Sequence, residues 1–209
     1  MRKSPIVSRY TLPLCAALAL GLGAGPVAAQ DWFVRFGAVQ VNPDSDNGRL
    51  ADGALAATVD NNNQIGLILG RHFTPNLALE ILAATPFSHT ASVNGAEAVD
   101  FKHLPPTVSL QWYFLPEARF NPFVGLGVNY TYVYDEETRG PLAGTEVSLE
   151  NSFGVAAQLG VAVKLNDSWD LVVDARQIDI DSDVKVNGAD VGTVTVDPRV
   201  YGLTFSYKF

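Results

Sequence analysis

The chain has 209 residues, of which 47% are apolar and 17% charged, and it carries 14 basic against 22 acidic side chains. So apolar a composition excludes a disordered chain, and the net charge of −8 argues against a nucleic-acid partner, because phosphate binding depends on clustered basic side chains. The length fits one domain, or at most two small ones.

The N-terminal segment predicts a cleaved export signal. Residues 1–9 are basic, residues 10–25 are apolar, and the small side chains of Val27 and Ala29 suit a cleavage site after Ala29. We therefore expect a signal peptide over residues 1–29 and a mature chain over residues 30–209. The alternative, an uncleaved anchor helix, is disfavoured because about 15 apolar residues fall short of the roughly 20 that a membrane span requires.

The mature chain alternates apolar and polar residues with period two, as strands do. The predicted strands cover residues 32–41, 64–73, 77–85, 104–114, 122–134, 152–165, 168–180 and 196–209. Short turns alternate along the chain with long connections rich in Asp, Asn, Gly and Ser. Antiparallel strands with every short turn at one end and every long loop at the other predict an eight-stranded up-and-down β-barrel.

The composition of the two strand faces indicates where this barrel resides. A soluble barrel would keep its large apolar side chains inside and present charges outside. Here the face opposite the large apolar residues consists mainly of Gly, Ser, Thr and Gln, which suits a narrow lumen inside a wall that contacts lipid. We therefore predict an all-β, antiparallel transmembrane barrel of the bacterial outer membrane, in contact with its lipid and lipopolysaccharide.

The last strand ends in a regular alternation of large apolar residues. Its members are Tyr201, Leu203, Phe205, Tyr207 and Phe209. This pattern resembles the C-terminal signal that the outer-membrane assembly machinery reads. We therefore expect that machinery, with periplasmic chaperones, to be a partner during biogenesis.

Four segments of the mature chain resemble one known family. They are residues 79–86 (LEILAATP), residues 102–107 (KHLPPT) running into 111–114 (QWYF), residues 122–131 (PFVGLGVNYT) and residues 178–185 (IDIDSDVK). Together they resemble the outer membrane protein W (OmpW) family of Gram-negative bacteria, over essentially the whole mature chain. The resemblance implies a barrel with a narrow, largely apolar lumen that binds or passes small hydrophobic molecules, with sideways release into the bilayer as one route.

The alternation also places polar side chains inside the predicted barrel. We expect Arg35, Glu80, Asp174 and Arg176 to pair across the lumen, because buried charges need partners. The remaining polar lumen residues are Gln111 and Gln158. This network either belongs to a transport path or simply plugs and stiffens the barrel.

Three apolar residues are predicted to line the passage: Ile68, Leu82 and Phe123. A slim apolar passage favours such side chains, although they could equally fill space. Leu82 matches a family position that lines the constriction. Arg176 stands where some members carry a bulky aromatic residue, so its charge departs from the family pattern.

No catalytic site, metal site or cofactor is expected. The histidines are far apart in the sequence, and no His/Cys cluster is available for zinc: they are His72, His89 and His103. His89 with Ser92 is the only local pair for a hydrolase, and no motif surrounds it. Three aspartates fall on one face of a strand end and are expected to be solvated or to reach lipopolysaccharide through divalent ions: Asp179, Asp181 and Asp183.

Two functions follow from this sequence. The first is a non-enzymatic, porin-like barrel that binds or passively conducts small hydrophobic molecules. The second is a structural or surface-interaction barrel with a plugged lumen, which supports envelope integrity or stress tolerance. The substitution Leu82→Glu separates them, because it should block ligand entry in the first case and leave the second unaffected.

Overall fold

The computed structural model describes residues 31–84 and 87–209, so the predicted signal peptide lies outside the described residues. The strands are β1 (Trp32–Asn42), β2 (Arg49–Leu50), β3 (Leu55–Val59), β4 (Asn62–His72), β5 (Leu77–Ala84), β6 (Phe87–Val93), β7 (Ala96–Leu104), β8 (Thr107–Tyr113), β9 (Phe120–Thr138), β10 (Val147–Leu149), β11 (Ser152–Lys164), β12 (Trp169–Ile178), β13 (Asp181–Val186), β14 (Ala189–Thr195) and β15 (Arg199–Lys208). One 3₁₀ turn covers Gly140–Leu142. Within the described ranges, no helix is long and apolar enough to cross a membrane.

Eight of these strands close into an antiparallel barrel, as predicted. Around the ring their order is β1, β4, β5, β8, β9, β11, β12 and β15, and β15 pairs back to β1. Closure leaves no free edge in the barrel wall, which satisfies the strand backbone groups without water. The short turns and the end of β15 lie at one end, and the long connections lie at the other.

The predicted strand ends differ from the observed ones by up to four residues, and proline explains two of the differences. The fourth predicted strand begins at Thr107 instead of residue 104, after Pro105 and Pro106, and the last begins at Arg199, after Pro198. Proline has no backbone N–H to donate to a ladder, so it is disfavoured inside a paired strand, although Pro122 is accommodated near the start of β9. Leu104 belongs instead to β7.

The long connections contain paired strands, which the sequence did not predict. Two of them form hairpins, β6–β7 and β13–β14, whose turns are Asn94–Gly95 and Asn187–Gly188. All four turn residues have φ between 50° and 79°, the left-handed values that a two-residue hairpin turn requires. An Asn-Gly dipeptide between alternating segments is a strong hairpin signal, and these two could have been found from the sequence.

These hairpins and their neighbours build a second layer on the barrel, which we term the cap: β2, β3, β6, β7, β10, β13, β14 and the end of β9 beyond Tyr132. Asn47, which is fully buried, connects β3 to β14 across the cap. Its side-chain amide donates to the Thr195 carbonyl (2.8 Å) and its amide oxygen accepts from the Val59 N–H (2.8 Å). The Ala51 N–H also donates to the Val191 carbonyl (2.7 Å), so β2 and β14 meet.

The outer wall of the barrel is apolar and exposed. Leu126, Phe153 and Ile65 expose 74%, 72% and 70% of their surfaces, and large apolar side chains continue around the ring. Apolar residues would not remain so exposed in water, so this wall is built for contact with lipid. Four residues of the predicted assembly signal, Tyr201, Leu203, Phe205 and Tyr207, lie on this outward face in β15, and the fifth, Phe209, follows directly after the strand and is also exposed.

Candidate functional site in the barrel lumen

Strand alternation directs every predicted lumen residue inward, and all of them are buried: Arg35, Ile68, Glu80, Leu82, Gln111, Phe123, Gln158, Asp174 and Arg176. They come from seven of the eight barrel strands. Their distribution is uneven, because the polar members meet in one layer and the apolar members do not all lie together.

The four charged residues are joined by ion pairs. Arg35 Nη1 lies 2.7 Å from Glu80 Oε2, and Arg176 Nη2 lies 2.9 Å from Glu80 Oε1. Arg176 Nε also donates to Asp174 Oδ2 at 2.7 Å. Two guanidinium groups thus face two carboxylates, so the buried charges balance, as a low-dielectric interior demands.

Amides and a phenol complete a closed circuit of side chains. Gln158 donates to Asp174 (3.1 Å), and Gln111 donates to the Gln158 side-chain oxygen (2.9 Å). The Tyr113 hydroxyl then donates to Gln111 (2.9 Å) and accepts from Arg35 Nη2. We term these residues the ionic layer: Arg35, Glu80, Gln111, Tyr113, Gln158, Asp174 and Arg176.

Tyr113 was not predicted as a site residue. The only signal for it was its place on the polar face of β8, in line with Ser109 and Gln111. Its ring stacks on Phe123 with 4.9 Å between ring centres, and it lies 5.1 Å from the ring of His72. Phe123 is therefore packed beside Tyr113 and Arg35, whose Cζ lies 5.7 Å from the Phe123 ring centre.

On the short-turn side of the ionic layer the barrel opens into a polar vestibule of about 590 Å³. Lys164, Lys208 and Asp170 line its wall, and Arg35 and Tyr113 form its inner end. Lys208 Nζ donates to Asp170 at 3.1 Å. Water can enter from this end only as far as the ionic layer.

On the opposite side of the ionic layer the interior is closely packed. Apolar side chains line it on β1, β4 and β5, and a buried hydrogen-bonded group of Thr107, Asn129 and Thr131 lines it on β8 and β9. Ile68 and Leu82 are cross-strand neighbours, and with Val39, Val200 and Arg176 they surround a cleft too narrow for a water molecule. Above it, barrel and cap share one apolar core, whose members include Val41, Phe87, Ala98, Val99, Val147, Ile178, Ile180, Val184 and Val194. We term this part the apolar compartment. Ile68 and Leu82 also belong to a second buried apolar cluster, which continues past the ionic layer to Phe33, Phe123 and Val172.

The barrel wall changes its pairing beside this compartment. The described ladder between β4 and β5 runs from His72 and Ala78 to Gly66 and Ala84, and the ladder between β4 and β1 runs to Asn62. The next described strand, β6, pairs with β3 and β7 in the cap. The junction of β4, β5 and β6 is therefore where the barrel sheet gives way to the cap.

The acidic residues singled out from the sequence are separated in the structure. Asp183 accepts a hydrogen bond from Thr193 (2.7 Å) within the β13–β14 hairpin. Asp179, beyond the end of β12, instead lies beside Asp197. Burial, followed by the nearby carboxylates of Asp197 and Asp181, raises the pKa of Asp179 above its usual value.

The chain matches the family model described as the OmpW family over residues 28–209. Outer membrane protein W of Vibrio cholerae is 36% identical, covering 92% of this chain and 96% of that protein. Outer membrane protein W of Escherichia coli is 33% identical over the full length of both. The crystal structure of the outer membrane protein OprG from Pseudomonas aeruginosa is similar at a TM-score of 0.78, with 34% identity, over 87% of this chain and 96% of that one.

Proposed function

We propose that this chain, which belongs to the OmpW family of outer-membrane β-barrels, binds or passively conducts small hydrophobic molecules. The binding region would be the apolar compartment between the cap and the ionic layer. Slim molecules fit this region best, since an eight-stranded barrel is just wide enough inside for side chains or one small ligand. The proposed function requires no catalytic group and no cofactor.

One observation carries this proposal: an apolar interior adjoins a closed polar layer within the same barrel. Ile68 and Leu82 offer a ligand only apolar surface. Beyond them, Arg176 and Glu80 would have to separate before anything could reach the vestibule, and separating a buried ion pair costs several kcal/mol, of order 3–5. The arrangement therefore presents apolar side chains to a ligand that displaces the packing around them, and it opposes the flow of ions.

The ionic layer also influences the route by which a bound hydrophobic molecule would leave the barrel. A hydrophobic molecule in the apolar compartment gains nothing by crossing the ionic layer into a polar vestibule. Leaving through the wall at the junction of β4, β5 and β6 would bring it into lipid instead. We therefore propose sideways release, which the apolar outer surface of β4 and β5 supports, because the exposed side chains of Leu67 and Ile81 would contact lipid there.

A second function is favoured by the packing itself. The cap core and the ionic layer both block the lumen, and the folded cap gives the barrel a defined outer surface. A structural or surface-interaction barrel, serving envelope integrity or stress tolerance, needs only a blocked lumen and a defined outer surface. Its partners would be outer-membrane lipid and lipopolysaccharide.

Biogenesis supplies the remaining proposed partners. The side chains of Tyr201, Leu203, Phe205, Tyr207 and Phe209 are exposed on the outside of the last strand. This position suits recognition by the outer-membrane assembly machinery and by periplasmic chaperones, before the wall is covered by lipid.

The test is a titration of a fluorescent fatty-chain probe into the mature chain, refolded in a detergent that does not enter the lumen. Wild type, Leu82→Glu and the control Asp170→Asn are compared, and ion conductance is recorded in planar bilayers. Saturable one-to-one binding that is lost in Leu82→Glu and kept in Asp170→Asn, with little conductance, supports a hydrophobic passage. Absence of saturable binding in all three refutes it and leaves the plugged barrel.

A further inference from the structure

The cap contains a pair of buried histidines that the proposed function does not use. His89 on β6 and His103 on β7 are 2% and 3% exposed, and their ring centres are 4.9 Å apart. They are 14 positions apart in the sequence, and the hairpin register brings them together: His103 pairs with Phe87, and His89 pairs with Phe101. Sequence spacing alone therefore gave no sign of the pair.

Each histidine has one ring nitrogen without a partner. Nε2 of His89 and Nε2 of His103 are both buried and accept or donate no hydrogen bond within the described part of the chain. Buried polar atoms are nearly always satisfied, so two orphaned nitrogens on neighbouring rings require an explanation.

The other ring nitrogen of His89 fixes its tautomer. Nδ1 lies 2.8 Å from the backbone carbonyl oxygen of Asp60 and 3.3 Å from its carboxylate. A carbonyl oxygen can only accept, so the proton resides on Nδ1 and Nε2 keeps its lone pair. Histidines that bind metals typically donate their second nitrogen to a carbonyl or carboxylate in this way.

We propose that His89 and His103 bind a late first-row divalent cation such as Zn²⁺ or Cu²⁺ through their Nε2 atoms. The ring centres are 4.9 Å apart, which is close enough for both imidazoles to bind one ion at the usual Zn–N distance of about 2.0 Å. Imidazole nitrogens suit zinc, copper and nickel, whereas calcium and magnesium require oxygen ligands.

The surroundings hold both rings in place. Phe87 lies 5.5 Å from His103, and Phe101 lies 5.9 Å from His89, measured between ring centres. A ligand pair held in this way loses little side-chain entropy when it binds an ion. The described residues contain no group of three or more His, Cys, Asp or Glu that could hold a metal, so the remaining ligands of the ion must come from outside the chain. His89 and Phe101 line a cavity of about 350 Å³ that can hold them.

The chain provides its own matched control, because its sequence contains three histidines and the third, His72, lies on β4 at the vestibule end of the barrel. The experiment uses the mature chain without a histidine tag, refolded in detergent, and titrates Zn²⁺ by calorimetry. The variants are His89→Phe, His103→Phe and His72→Phe, which all retain an aromatic ring. Folding of each is checked by its electrophoretic shift on heating.

We expect one Zn²⁺ per wild-type chain, binding at least tenfold weaker in His89→Phe and in His103→Phe, and unchanged binding in His72→Phe. If either cap variant fails to fold, ¹⁵N-histidine NMR of the wild type tests the site instead. Zn²⁺ should then shift the Nε2 signals of two histidines and leave those of the third in place. Absence of saturable binding, or shifts of all three histidines alike, would overturn the site.

Discussion

Glu80 and Arg176 form an ion pair of 2.9 Å across the full width of the barrel. They project from β5 and β12, which are four positions apart in a ring of eight strands and therefore face each other. Glu80 also binds Arg35 at 2.7 Å, so one carboxylate connects three barrel strands, β1, β5 and β12.

Replacing Glu80 by Gln leaves two buried guanidinium groups facing a single carboxylate. We expect the free energy of unfolding to fall by about 3–5 kcal/mol, the usual loss when one partner of a buried pair is removed. Urea unfolding in micelles, followed by tryptophan fluorescence, measures it. Asp170→Asn, which removes a partly exposed pair with Lys208, should lose no more than about 1 kcal/mol. Equal losses in the two variants would contradict a special role for Glu80.

Removing the pair that crosses the lumen should open the ionic layer to water from the vestibule. In the double variant Glu80→Ala, Arg176→Ala the remaining charges, Arg35 and Asp174, still balance, but the link across the lumen is gone. We expect a water-soluble thiol reagent to label a cysteine introduced at Leu82 faster than in the otherwise wild-type chain, whereas conductance stays at baseline because the cap core still closes the lumen. The double variant Asp170→Ala, Lys208→Ala changes only the vestibule wall, so the rate of labelling should not change.

Gly70 leaves room for the ring of Phe33. A methyl group added at this position would overlap the tip of that ring, which is buried and cannot move aside. We expect Gly70→Ala to lower the free energy of unfolding by about 1–3 kcal/mol, a typical penalty for overpacking. Ala38→Val, which adds carbon atoms on the outward face of the neighbouring β1, should change it by much less, and a reversed order would refute the packing argument.

The raised pKa of Asp179 predicts a pH-dependent contribution to stability. A carboxyl group whose pKa is higher in the folded than in the unfolded chain favours folding at low pH, and this contribution is lost as the pH rises through the folded pKa. Asp179→Asn should therefore stabilise the protein at pH 7 and have less effect near pH 3. Denaturant midpoints of both proteins at the two pH values test this, and a gain that is independent of pH would exclude the electrostatic cause.

Local alternation was sufficient to identify the barrel and the inward direction of its polar residues. The inward direction of Arg35, Glu80 and Arg176 depends only on their neighbours in the same strand, because strand geometry repeats every two residues. Closure of the ionic layer depends in addition on contacts between strands that are distant in the sequence. Tyr113 receives a hydrogen bond from Arg35, 78 positions away, and no local pattern specifies that contact.

The cap was missed for a different reason. Its strands are short, and their pairing depends on contacts between connections that are distant in sequence, such as Asn47 with Thr195. The Asn94–Gly95 and Asn187–Gly188 turns carried enough local information to predict two hairpins. What they could not predict is that the hairpins would stack into one core, or that His89 and His103 would become neighbours.

The ionic layer also has a consequence for the way the barrel is built. Arg35 and Glu80 belong to the first half of the barrel sequence, and Asp174 and Arg176 belong to the second half, so each half contains one ion pair of this layer. A half-assembled sheet can therefore enter the hydrocarbon region without an unbalanced charge, and only the contact between Glu80 and Arg176 must wait for the halves to meet. The order in which strands are added is thus free of an electrostatic barrier until the final closure.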